Sequence, residues 1–471
     1  MTITSTHRLV ELLGGWRQGG AGQEKLAATI RSLILDGRIA VHSRLPAERG
    51  LAAGLGVSRA TVTGAYNQLR DEGYLASRQG SGSWVTLPGG LRSAPDAIVG
   101  GPGLDLRIAA LPAPAAIAEL FGAAVRELPR WLDHHGYDPL GLPPLREAIA
   151  RRFTARGLLT RPEQILVTNG ALQALDLALR TVMGRGRRAL VEIPSYPAAL
   201  DALRAAGARV DAIPVEHDGW HLRALEAATR IDQAAVSYLM PDFHNPSGRL
   251  MDEAGRRRTM RAMSRSGSYV VIDETFVEVN LDRVPMPPPA AAFGDARTIT
   301  IGSLSKSVWG GLRIGWARAD PELVHRLAAT RAAVDLASPV LEQLVAVHAI
   351  ERLDELVEDR CAIIRPRREA LLRAIDRQLP AWRYVPPGGG MFLWVTLPEP
   401  NSTSLAIQAR EHDLHLTPGP RFGAAGLLER RLRLPFTLTP EELERAVTIL
   451  ARLAPTTAAV DDRARAAGYV A

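Results

Sequence analysis

Thr298-Ile299-Thr300-Ile301-Gly302-Ser303-Leu304-Ser305-Lys306 passes from a short apolar run through small polar residues to a lysine. A run of this length, bounded by turn-forming residues, reads as a buried strand. The lysine is unusual in this chain. Of 57 basic side chains, only Lys25 and Lys306 are lysine; the rest are arginine. A primary amine can lose its proton and attack an aldehyde, whereas a guanidinium, with a pKa above about 12, cannot. Lys306 therefore offers chemistry that the arginines around it do not.

On either side of this stretch, strands alternate with helical patterns. The strand candidates are 165–167, 189–192, 235–239, 269–272, 298–301 and 313–316, with helices over 171–181 and 197–206 between some of them. Such alternation predicts an α/β domain with a mainly parallel sheet covered by helices. Ligands in these sheets sit beyond the carboxyl ends of the strands. Asp273 ends the apolar run Tyr269-Val270-Val271-Ile272, and Lys306 follows the next strand. From about 350 onward a helix-then-strand segment predicts a smaller α+β subdomain.

Composition sets the frame. At 471 residues, two or three domains are expected, and 46% hydrophobic with 23% charged residues describes a soluble globular chain. The net charge of +7 admits acidic partners, nucleic acid among them. The single Cys361 excludes an internal disulfide and fits a reducing cytoplasm. The first residues carry no long apolar run of the secretory kind. No stretch reaches the roughly 20 apolar residues of a membrane span. No metal-ligand spacing stands out.

The pairing of Asp273 with Lys306 is what pyridoxal phosphate needs. A lysine amine holds the aldehyde as an imine, and a carboxylate keeps the ring nitrogen protonated so that the ring withdraws electrons. The phosphate needs backbone N–H groups at a helix start, hydroxyls and a cation. Asn169-Gly170-Ala171 supplies a helix start; Ser303, Ser305 and Arg313 supply hydroxyls and a cation. Asn245, in Asn245-Pro246-Ser247-Gly248, is placed to hydrogen-bond the ring hydroxyl. Tyr196 is placed to stack on the ring face. Singly, each has a plain alternative: a helix cap, a surface charge, a core tyrosine, a turn. Their order along the chain favours the site.

Residues 23–86 form a separate pattern. Leu26, Ile30, Leu33 and Ile34 recur at helical spacing up to Asp36-Gly37. Leu45-Pro46-Ala47-Glu48-Arg49 opens a second helix that Gly56 breaks. Ser58 caps a third, running through Arg59, Thr61, Val62, Tyr66 and Leu69 to Gly73. Tyr74-Leu75 and Ser83-Trp84-Val85 read as two short strands joined at Gly80-Ser81-Gly82. Residues 1–90 hold 10 Lys+Arg and 6 Asp+Glu, a difference of +4. Residues 87–103, rich in proline and glycine, read as a linker.

This first segment resembles the winged helix-turn-helix of the GntR regulators, through Leu45–Arg49, Gly56–Val62, Glu72-Gly73-Tyr74-Leu75 and Gly80-Ser81-Gly82. The resemblance implies that Arg49, Ser58, Arg59 and Thr61 meet double-stranded DNA. Arg59 is suited to guanine O6 and N7. Gly80 and Gly82 would let the wing approach the DNA backbone.

Residues 104–455 resemble the fold-type I, class I/II aminotransferases. The resembling stretches are Tyr137-Asp138-Pro139-Leu140-Gly141, Thr168-Asn169-Gly170, Asn245–Gly248, Asp273-Glu274, Ser303–Lys306 with Arg313, and Arg433-Leu434-Pro435-Phe436. The resemblance implies pyridoxal phosphate as an aldimine on Lys306, with Asp273 on the ring nitrogen. It makes Arg433 the clamp for a substrate or effector carboxylate, with Arg431 the alternative. It implies that Tyr137 reaches the phosphate of a neighbouring subunit in a homodimer. One departure concerns the tyrosine usually found two or three residues after the aspartate; here those positions are Thr275 and Phe276. Thr275 is the possible substitute for that hydroxyl.

The two segments in this order resemble the MocR subfamily of GntR regulators. The expectation is a cytoplasmic transcription regulator whose aminotransferase-like domain senses the cofactor or a small amino compound. The competing expectation is a working aminotransferase that carries a DNA-binding domain.

Overall fold

The computed structural model describes residues 5–454 except 15, 17–21, 36–37, 40–42, 79–81, 87–102, 185, 217–218, 232–233 and 424–427. Asp36-Gly37, the turn at Gly80-Ser81 and all of the 87–103 segment but Gly103 lie outside the described residues.

Helices Gln23–Leu35, Glu48–Leu55 and Arg59–Asp71 pack with an antiparallel hairpin of Leu75–Arg78 and Gly82–Val85. Gly56, at φ 62°, closes the second helix in the left-handed region that favours glycine. Ser58 then caps the third by accepting from Thr61 N at 3.1 Å. The first strand begins at Leu75, one residue later than the sequence indicates, because Tyr74 N still bonds Leu69 O at the helix end. A further helix, Thr6–Leu13, precedes the expected 23–86 segment and buries Leu9, Leu12 and Leu13 in the same core. Its apolar face is clear, but it is only eight residues long and lies ahead of the segment read from the sequence.

The large domain is an eight-stranded sheet. Its spatial order is Ile165–Thr168, Gly315–Arg318, Thr298–Ser303, Tyr269–Asp273, Val236–Leu239, Arg188–Ile193, Arg209–Glu216 and Gly219–Trp220. The neighbours from Thr298–Ser303 through Arg209–Glu216 pair in parallel. Gly315–Arg318 runs antiparallel to both of its neighbours. Alternation along the strands makes two faces. Val271, Ile299, Ile301 and Tyr238 pack with helix Ala171–Val182, while Ile272, Leu239 and Val270 join the core holding Leu145 and Ile149. The expected strand at 313–316 instead starts at Gly315. Arg313 sits at φ 52°, ending a short helical turn, and so cannot extend the strand. The sequence reading missed the strand Arg209–Glu216, whose burial is mixed rather than continuous.

Four antiparallel strands form the smaller subdomain, in the order Arg383–Tyr384, Phe392–Thr396, Arg431–Pro435 and Thr417–Pro418, with the long helix Leu353–Gln378 packed in the same core. This subdomain is not confined to residues after 350. Leu104–Asp105 pairs in parallel with Leu414–His415, and Leu104, Leu106, Ala109 and Leu111 enter its core. The chain is therefore stitched to the small subdomain as soon as it leaves the linker.

The N-terminal domain also docks there. Arg38, with a side chain 6% exposed, donates to Thr403 Oγ1 at 3.0 Å and lies 3.8 Å from Glu429. Among the described residues no helix is long and apolar enough to cross a membrane.

Candidate functional site

A cavity of about 530 Å³ opens at the carboxyl ends of the strands, between the sheet and the small subdomain. Strand Thr298–Ser303 delivers Ser303 to its wall, and the following turn, Ser305–Trp309, is a single turn of π-helix carrying Lys306. Such widened turns recur at functional sites because they re-aim a side chain. Lys306 Nζ donates to Ala109 O at 2.7 Å and lies 5.5 Å from the Phe276 ring centre. Burial pushes its pKa down to about 8. The Arg433 and Arg313 charges push the same way, and Asp273 opposes them. Lys306 is partly buried and lines the cavity. The neutral, nucleophilic form is therefore within reach near neutral pH.

Asp273 ends the neighbouring strand and also faces the cavity. Its Oδ1 accepts from Thr275 N at 2.9 Å and from Thr275 Oγ1 at 2.5 Å; its Oδ2 accepts from Tyr238 Oη at 2.6 Å. Thr275 thus supports the aspartate and is not the substitute for the missing ring-hydroxyl tyrosine, because its one O–H points at Asp273. Tyr238 escaped the sequence reading. A tyrosine inside an apolar strand looks like core, and nothing local marks its hydroxyl. Burial, with Asp273 beside it, raises its pKa well above the usual phenol value, so it stays a donor. Phe276, at the second expected tyrosine position, packs edge-on against Phe392 at 4.9 Å.

The candidate anion-binding end lies at the start of helix Ala171–Val182. Gly170 adopts φ 92°, and a Cβ there would fall 2.7 Å from Arg313 Nη2. Arg313 Nη2 donates to Asn169 O at 2.8 Å, holding the guanidinium over the helix start. Ser305 N donates to Ser303 Oγ at 3.1 Å, and both serines line the cavity. Asn169 turns its side chain away. Its amide donates to Asp335 at 2.6 Å, and its own N–H donates to Gln173 Oε1. The helix start that the sequence promised is present, with the backbone of the turn rather than the asparagine side chain as its active part. Tyr196 flanks the cavity, its hydroxyl kept protonated chiefly by burial and then by Asp273.

Arg433 is 5% exposed and has no carboxylate partner among the described residues. It donates through Nη1 to Asn245 Oδ1 at 3.2 Å and through Nη2 to Arg107 O, while Nε has no partner. The Phe392 and Phe422 rings lie 5.8 and 4.9 Å from it. Burial lowers its pKa to about 10. An isolated buried cation is costly unless an anion joins it. Arg431, the alternative clamp, instead donates to Thr396 Oγ1 and does not line the cavity. Tyr137 is 63% exposed and lies outside this cavity.

Amine, carboxylate, helix start and clamp thus fit the aldehyde, ring nitrogen and phosphate of pyridoxal phosphate, and the carboxylate of an amino acid. The isolated Arg433 and the cradle at Gly170 are the observations that carry this fit.

On the DNA-binding face, Arg49, Ser58 and Arg59 are exposed, with Arg59 at 72%. Thr61 is partly covered, its hydroxyl 2.9 Å from Ser58 Oγ. Glu48 lies beneath them, accepting from Thr63 Oγ1 at 2.7 Å and Arg70 Nη2 at 3.3 Å. Gly82 has φ +87°, and a Cβ there would lie 2.8 Å from Arg44 Nε. The positive φ favours glycine at this position, whereas the Arg44 guanidinium is the end of a flexible side chain that can move aside. Gly80 is outside the described residues.

The sequence comparisons agree with this geometry. Residues 132–450 match the family model "Aminotransferase class I and II", and residues 23–85 match "Bacterial regulatory proteins, gntR family". The chain is 34% identical over 326 residues to the probable rhizopine catabolism regulatory protein MocR of Rhizobium meliloti, covering 64% of this chain and 65% of that protein. It is 28% identical over 451 residues to the HTH-type transcriptional regulator TauR of Rhodobacter capsulatus, covering 85% and 90%. Its fold matches the crystal structure of the α-aminoadipate aminotransferase LysN from Thermus thermophilus, complexed with N-(5'-phosphopyridoxyl)-L-leucine. The TM-score is 0.68 at 33% identity, covering 74% of this chain and 91% of that one. Pyridoxal phosphate is the cofactor of this fold. With a GntR-type DNA-binding domain fused to a class I and II aminotransferase domain, the chain belongs to the MocR subfamily of GntR regulators.

Proposed function

We propose that this protein is a dimeric transcription regulator whose large domain holds pyridoxal phosphate on Lys306 and reports the cofactor, or an amino compound competing for it, to the DNA-binding domain. Bound cofactor supplies an aldehyde that one amine at a time can occupy, either that of Lys306 or that of an incoming ligand. Asp273 holds the ring-nitrogen proton, supported by Tyr238 and Thr275. The helix start at Ala171, with Arg313, Ser303 and Ser305, takes the phosphate; Tyr196 and Asn245 flank the ring. Arg433 takes a carboxylate, which makes an amino acid or a similar amino-carboxylate the favoured class of effector. Tyr137, exposed on this subunit, completes the phosphate site of a partner. Arg49, Ser58, Arg59 and Thr61 face DNA, and a dimer presents two such heads to paired half-sites.

The observation that carries this reading is a buried, carboxylate-free Arg433 in the same cavity as Lys306, on a chain that also presents Arg59 at 72% exposure from a capped helix. A ligand biases the domain arrangement only by binding one arrangement better than the other.

A second reading, a working aminotransferase, is favoured by the intact trio of Lys306, Asp273 and Arg433. Kinetics with an amino donor and a keto-acid acceptor separate the two. A regulator shows at most one half-reaction with no sustained turnover. Ping-pong turnover at about 1 s⁻¹ or faster would make it an enzyme.

A further inference from the structure

Four backbone carbonyls just downstream of the linker are each held by a side chain. Arg107 O accepts from Arg433 Nη2, Ile108 O from Thr437 Oγ1 at 2.9 Å, Ala109 O from Lys306 Nζ at 2.7 Å, and Pro112 O from Arg360 Nη1 at 2.6 Å. Arg360 is itself buried, has no carboxylate partner among the described residues, and also donates to Val308 O in the turn that carries Lys306. Residues 107–112 therefore form a strap pinned across the cavity, and its preceding residues 104–105 pair with Leu414–His415.

Two of the four pins are the groups that ligands require. Condensation of the Lys306 amine with an aldehyde would form one C=N bond and release water, leaving the nitrogen at most one N–H. Its hold on Ala109 O would then compete with the cofactor for that one proton. A carboxylate on Arg433 would draw on the same guanidinium, through its unpartnered Nε and an Nη, and so compete for the orientation that holds Arg107 O. Thr437 and Arg360 are pins that neither ligand uses.

We propose that residues 107–109 act as an internal competitor for the cofactor and effector sites, so that ligand binding unpins the strap and transmits site occupancy to the adjoining linker and DNA-binding domain. This rests on the reading of Lys306 and Arg433 given above. The strap's hold subtracts from ligand affinity, because a ligand that must first displace it binds only the unpinned fraction. Weakening a pin that no ligand uses should therefore tighten ligand binding, whereas a purely structural role predicts unchanged or weaker binding.

The experiment is a pyridoxal phosphate titration of the full-length protein, followed by the absorbance of the lysine-bound cofactor, in wild type, Thr437→Val and Thr437→Ser. Loss of one hydrogen bond predicts a Kd for Thr437→Val lower by about three- to tenfold, with Thr437→Ser close to wild type. An unchanged or raised Kd in a folded Thr437→Val protein, with wild type binding through Lys306, overturns the strap proposal alone. No lysine-bound absorbance in wild type overturns the reading of Lys306, and the strap proposal with it.

Discussion

Tyr238 donates its hydroxyl to Asp273 Oδ2 at 2.6 Å, from one parallel strand to the next. In a chain lacking tyrosine at both 275 and 276, this bond holds the carboxylate proposed to meet the cofactor's ring nitrogen. With Thr275 on Oδ1, the carboxylate is oriented before any ligand arrives.

Replacing Tyr238 with phenylalanine removes a donor from a buried carboxylate while preserving the ring. The expected loss of stability is about 1–3 kcal/mol. The ring N–H of bound pyridoxal phosphate supplies a replacement donor. The cofactor should therefore raise the melting temperature more in Tyr238→Phe than in wild type. Equal shifts would show that Asp273 does not meet the ring nitrogen.

The pH dependence of cofactor loading follows from Lys306. Its pKa, lowered from 10.5 to about 8, leaves about a tenth of the amine neutral at pH 7. Loading rates should rise nearly tenfold per pH unit below about 8 and level off above it. Continued rise toward pH 10 would contradict the lowered value. The stability sign is also fixed. Between about 8 and 10.5 the unfolded chain binds the extra proton, so this group's contribution to stability grows with pH over that window and is least favourable below it.

Arg433→Gln removes the carboxylate clamp. Amino-carboxylates should lose about 10- to 100-fold in apparent affinity for the cofactor-loaded protein, while the corresponding amines without a carboxylate change little. Spectral titration with such a pair measures the difference. The substitution also removes a positive charge beside Lys306 and should move the loading plateau to higher pH.

Arg59→Ala tests the DNA-binding face. Arg59 is 72% exposed and lies 3.9 Å from Glu48, so its removal should leave the domain folded. If Arg59 reads a base edge, operator binding weakens by about 1–3 kcal/mol and discrimination relaxes at one base pair. Ser58→Ala, by contrast, removes the helix cap and should cost about 1 kcal/mol of stability. Melting curves and competition binding separate the two effects.

Much of the site was legible because its key residues lie where strand patterns end. Asp273 and Lys306 each follow an apolar run, and Arg313 follows a glycine pair, so chain order exposed them. What stayed hidden depends on neighbours distant in sequence. Tyr238 reads as core until the adjacent strand places Asp273 beside it. Asn169 reads as part of a helix start, and nothing local shows that Asp335 takes its side-chain amide. Thr275 reads as a hydroxyl for the cofactor until its rotamer turns to Asp273. The strap at 107–112 has no local signal, because its pins come from residues 306, 360, 433 and 437. The helix Thr6–Leu13 and the strand Arg209–Glu216 were missed for a simpler reason. The helix gathers Leu9, Leu12 and Leu13 on one face but is only eight residues long and precedes the expected 23–86 segment, and the strand is half-exposed with no continuous apolar run.

The central claim is that site occupancy at Lys306 changes how the protein holds DNA. Footprinting of the cofactor-free protein on DNA upstream of its own and the adjacent gene, with and without pyridoxal phosphate, tests it most directly, with Lys306→Arg as control. The expected result is a protected pair of half-sites whose pattern or affinity changes with cofactor in wild type and not in Lys306→Arg. An unchanged wild-type footprint under cofactor and amino compounds alike, or no protection at any salt concentration, would contradict it.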